Sequence, residues 1–113
     1  MQEFSKSEKR RLRELAAFAY ERDVAKSLSM IASKFEDWKN GKVTALELNQ
    51  NLHEYDRGES RELWSRYGSN QYDIQVASAI VRGLLSEAEA GKEIIAILSN
   101  QIQFFRSEAE RDR

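Results

Sequence analysis

The chain has 113 residues with no proline, no cysteine and five glycines, and it carries 18 Lys and Arg against 19 Asp and Glu. The missing cysteines exclude disulfides, thiolate metal sites and cysteine nucleophiles and agree with a reducing cytosol. The balanced charge excludes a global field that would draw the chain onto nucleic acid or an acidic membrane.

Helix is the one regular structure this composition invites. Proline and glycine cost about 3 and about 1 kcal/mol in a helix interior, and the first glycine is Gly41. With 33% charged and 41% hydrophobic residues, the chain reads as folded and well solvated. The expected fold is a single all-α domain over residues 1–113, a compact bundle of four to six helices with a long N-terminal one. Met1 to Arg13 is polar and basic, and no apolar stretch of signal-peptide or membrane-spanning length follows. A cytoplasmic location without membrane contact is therefore expected.

In chain order, Ser5 or Ser7 can cap the first helix, with Glu8 near its positive end. Leu12, Leu15, Ala16 and Ala19 form one apolar stripe. Val24, Leu28, Ile31, Phe35 and Trp38 form another in 4-3-4-3 steps, about 120° away on a common helix. Either the helix breaks near Arg22-Asp23 or one long helix shows two faces to different neighbours. Asp23 lacks an acidic residue three positions on, so its capping signal is weak and continuity is favoured. A continuous helix would span about 50 Å, more than the other residues can cover. Its first stripe would then seek a second copy of the chain, and a homodimer is expected on that condition.

Asn40-Gly41 reads as a left-handed C-terminal cap. Thr44 and Glu47 make a capping box with Val43 and Leu48 as its hydrophobic staple. The helix so begun turns Leu48, Leu52 and Tyr55 inward and ends before Gly58. A short helix over 60–67 carries Leu63, Trp64 and Tyr67. Asn70 with Asp73 caps the next, whose inward face is Ile74, Ala77, Ile80, Val81 and Leu84. Ser86 and Glu89 form a second capping box, and a last helix runs through Ile94, Ile95, Leu98, Ile102 and Phe105. The charged tail near 107–113 is expected to fray.

Candidate chemistry is sparse. His53 is the single histidine; with Asp56 three residues on, it makes half a metal site, and no second histidine completes it. Carboxylates are scattered, there is no glycine-rich phosphate loop, and no serine has a histidine at a recognisable spacing. Neither catalysis nor a cofactor is expected. Lys6, Lys9, Arg10, Arg11 and Arg13, against Glu8, form the one dense basic cluster. Lys6, Lys9, Arg10 and Arg13 are its candidate nucleic-acid contacts, although no aromatic interleaves them in sequence to stack a base.

The aromatics Phe35, Trp38, Tyr55, Trp64, Tyr67 and Tyr72 cluster mid-chain. They are expected to plug the core where short helices cross, with Trp38 and Trp64 mostly buried. The competing reading is an interface, because Trp, Tyr and Arg are the residues that anchor one. Arg61, Trp64 and Tyr67 are its candidates, joined by Leu46 and His53, which point away from the Leu48, Leu52, Tyr55 face. The expected function is protein–protein interaction, as an adaptor, regulator or small subunit of a larger assembly. The alternative is a nucleic-acid-associated regulator of antitoxin or phage type, using the basic N-terminus.

Overall fold

The first helix starts on a reciprocal cap. Ser5 Oγ accepts from the Glu8 amide at 3.1 Å, and the Ser5 amide donates to the Glu8 carboxylate at 2.7 Å, satisfying two otherwise orphaned donors. From there α1 runs unbroken over Lys6–Lys39, so the continuous reading holds and Asp23 caps nothing. The end is a Schellman motif. The Gly41 amide donates to Trp38 O at 3.0 Å and the Lys42 amide to Asp37 O at 2.8 Å, with Gly41 at φ 77°, a conformation that favours glycine.

The structure, a computed structural model, describes residues 2–112, and among them there is no strand. After α1 come α2 (Ala45–Arg57), α3 (Glu59–Tyr67), α4 (Tyr72–Val81), the single turn α5 (Glu87–Ala90), α6 (Lys92–Ile97) and α7 (Ser99–Arg111). The fold is all-α with a long N-terminal helix, as expected. No helix among the described residues is long and apolar enough to cross a membrane. The chain divides into two units: residues to Tyr20 with those from Ser69 onward, and Glu21–Gly68. Helix α1 runs from the first into the second.

The first unit holds most of the buried apolar side chains. Leu12, Leu15, Ala16 and Ala19 of α1 are at most 3% exposed. Val76, Ala77, Ala79 and Ile80 of α4, with Leu85, Ala90, Ile94, Leu98 and Ile102, are buried too. Helix α4 packs on α7, and α6 touches both α5 and α7. The Leu12 stripe is thus covered by the chain itself, and the argument for a homodimer through it falls.

Three expectations within this unit are corrected. Helix α4 starts after Gln71 with no side-chain cap; Asp73 instead accepts from Gln101 Nε2 at 3.1 Å. Its buried face keeps Ala77 and Ile80 as expected but extends to Gln75, Val76 and Ala79 in place of Ile74. Ile74 is 40% exposed, while Gln75 is buried with its amide nitrogen 3.1 Å from Ser69 O. That bond satisfies a polar group the sequence pattern assigned to solvent. The Ser86–Glu89 box forms, at 3.1 and 2.8 Å, but launches only one turn. Gly91 at φ 92° lets the chain change direction in a region other residues resist, and a second offset at Leu98 splits the expected last helix again. Ile94, Leu98 and Ile102, four apart, stay buried across that offset. Helix α7 is regular to Arg111; Arg113, the end of the tail expected to fray, lies outside the described residues.

In the second unit α2 packs against α3. The Thr44 box forms as expected: the Glu47 amide lies 3.0 Å from Thr44 Oγ1, and the Thr44 amide 3.4 Å from the Glu47 carboxylate. Thr44→Ala is expected to lower stability by about 1 kcal/mol. A thermal melt unchanged from the parent would contradict that assignment. Leu48, Leu63 and Tyr67 are the buried apolar residues here. Trp38 and Trp64 are not core residues, being 42% and 72% exposed. Leu63 and Tyr67, four apart, take the inner face of α3, and Trp64 lies about 100° round from Leu63.

Candidate interaction surface

One buried polar site lies in the second unit. Asp23, 7% exposed, accepts from the Tyr67 hydroxyl and from Arg66 Nη1, the latter at 3.3 Å. A carboxylate removed from water needs such partners. The network ties the C-terminal end of α3 to α1 and removes Tyr67, 8% exposed, from the candidate surface residues. Asp23 and Ser27, at 7% and 3% exposure, mark the face of α1 that turns inward in this unit.

The other candidates are solvent-facing. Arg61 and Trp64, three apart, share the outer face of α3. Leu46, 82% exposed, and His53 lie on the outer side of α2, opposite buried Leu48. Tyr67 apart, the interface candidates are exposed, four residues in two pairs on two helices. Sequence patterning missed a further set on α1, where Leu28, Met30 and Phe35 are 51%, 57% and 37% exposed. The heptad-like spacing of Leu28 and Phe35 signalled burial, but a 4-3 stripe is equally the signature of a seam awaiting another helix; Met30 lies outside that stripe.

The basic cluster divides. Lys6, Lys9, Arg10 and Arg13 are exposed. Arg11 turns inward, its Nη2 donating to Glu89 O at 2.7 Å. Lys9 and Arg13 line a hollow of about 300 Å³ with Phe4, Leu12, Asn70, Tyr72 and Asp73. Folding therefore brings two aromatic rings to cations that have none beside them in sequence. Among the described residues no three His, Asp or Glu side chains gather where they could hold a metal ion; His53 and Asp56 are both exposed.

Comparison with protein-family models, with curated proteins and with solved structures gives no match, so this surface is read from its own chemistry.

Proposed function

We propose that the chain is a small helical protein–protein interaction module, an adaptor, regulator or small subunit of a larger assembly, and that residues 21–68 form its binding part. One contrast carries the reading. In that unit Leu48, Leu63 and Tyr67 are buried, whereas Leu28, Met30, Phe35, Trp38, Leu46 and Trp64 are large apolar side chains left exposed. Singly exposed apolar residues are ordinary, but a unit whose exposed set outnumbers its core gains by closing on a partner. Trp64 beside Arg61 has the residue chemistry of an interface anchor. The reading assigns the chain no reaction.

The test is affinity capture from native lysate with the parent chain, Trp64→Ala, and Lys9→Ala/Arg13→Ala. A defined protein retained by the parent, lost with Trp64→Ala and kept with the basic variant is the expected result. Equal retention by parent and Trp64→Ala would remove Trp64 from the reading.

A second reading rests on the hollow lined by Lys9, Arg13, Phe4 and Tyr72. Cations beside stackable rings suit a single-stranded nucleic acid, while Asp73 in the same hollow opposes a phosphate. Nucleic acid retained by the parent, lost with the basic variant and released by salt would favour it.

A further inference from the structure

Within the second unit, α1 has an inner side marked by Asp23 and Ser27. About 140° round the helix from there runs a row with steps of 4-3-4-3-4: Glu21, Ala25, Leu28, Ala32, Phe35 and Lys39. All six are exposed, Leu28 at 51% and Phe35 at 37%. The order along the row is acid, small, large, small, large, base.

From this order we infer that the outer face of α1 over 21–39 pairs with the same face of a second copy, antiparallel, about a two-fold axis near residue 30. Positions equidistant from that axis then meet. Leu28 lies on the partner's Ala32 and Phe35 on the partner's Ala25, and the two-fold repeats each contact, so every layer joins a large side chain to a small one. Glu21 faces the partner's Lys39 at one end and Lys39 the partner's Glu21 at the other. Such a patch complements itself, which is what an isologous interface requires. The alanines let the helix axes approach to about 8 Å. Parallel pairing would stack Leu28 on Leu28 and Ala25 on Ala25, leaving gaps between the large layers, and would set Glu21 against Glu21. Half-buried Val24 and Ile31, with Trp38, flank the row and broaden its apolar width. Lys39 Nζ lies 3.7 Å from Glu36 within its own helix, an exposed pair worth too little to hold it from a better partner.

The inference rests on the interaction reading and names the partner of one face. It differs from the dimer first expected, because that one used the Leu12 stripe. The row spans about 27 Å, so the contact is well below the usual roughly 800 Å² per partner, and association is expected at roughly tens to hundreds of micromolar.

Sedimentation equilibrium of the full chain over that range should show the mean mass rising from 13.1 kDa toward twice that value. Leu28→Glu, at an exposed position with equal helix propensity, should raise the dissociation constant roughly tenfold or more. Glu21→Lys and Lys39→Glu should each weaken the dimer, and the double charge swap should restore it. Circular dichroism melts check that each variant is folded. A 13.1 kDa species at every concentration, a dimer indifferent to Leu28→Glu, or a charge swap without rescue would each overturn the pairing. Trp64-dependent capture persisting beside a monomer would overturn it while leaving the interaction reading intact.

Discussion

Leu98→Ala is expected to lower the free energy of unfolding by about 3 kcal/mol, within the 2 to 5 kcal/mol typical of a buried leucine. Leu98 is fully buried and sits at the offset between α6 and α7, its amide 3.0 Å from Ile94 O and its carbonyl 2.9 Å from the Ile102 amide. Its side chain therefore fills the core where the backbone changes direction. Ala16, Ala19, Ala77, Ala79 and Ala90 are also buried in this unit, and alanines have no atoms beyond Cβ with which to fill a new void. The cost should thus include most of the cavity term as well as the lost transfer energy. Leu28→Ala is the control: at 51% exposure it should change monomer stability by no more than about 0.5 kcal/mol. Urea denaturation at low protein concentration measures both. A loss below about 1 kcal/mol for Leu98→Ala would show that the Ile94, Leu98, Ile102 row is not the core of this unit.

The parts of the fold legible in sequence are those governed by neighbours within a few residues. Capping at Thr44 and Ser86 and the stop at Gly41 depend on side chains three apart or on one backbone angle, so local chemistry decides them. What was illegible depended on distant partners. Gln75 looked like a solvent residue because Ser69 O, its hydrogen-bond partner, lies beyond the start of α4. Gly91 sat between residues compatible with helix, and nothing local requires a lone glycine to adopt φ 92°. Trp38 continued a regular apolar stripe, and periodicity reports which residues share a face, never whether another element covers it. The candidate surface was legible in the same partial way. Leu46 and His53 were placed outside by helix geometry, whereas Arg61 and Trp64 were named for their residue types, with Trp64 expected in the core, and Tyr67 was lost to a carboxylate 44 positions away.

Asp23→Ala is the second large effect expected, a loss of about 2 to 3 kcal/mol. Two terms compete. Alanine at mid-helix is favoured over aspartate by up to about 0.7 kcal/mol, and deleting a buried charge removes its own desolvation cost. Against this, the buried Tyr67 hydroxyl loses an acceptor and Arg66, with its side chain 40% exposed, loses a counter-ion. Breaking one side of such a pair is costlier than the pair is worth, because the remaining polar group stays behind in the protein. The second term should win. Asp23→Asn keeps an oxygen for the Tyr67 hydroxyl and should cost about 1 kcal/mol, as should Tyr67→Phe. Because apolar replacement of both members removes the stranded group, Asp23→Leu with Tyr67→Phe should recover much of what either polar deletion loses. Trp38 and Trp64 both belong to residues 21–68, so their emission during denaturation follows the unit in which the network lies. An Asp23→Ala transition coincident with the parent's would mean the carboxylate contributes no net stability. A double replacement no better than Asp23→Ala would mean that shape at this site matters more than the stranded polar group.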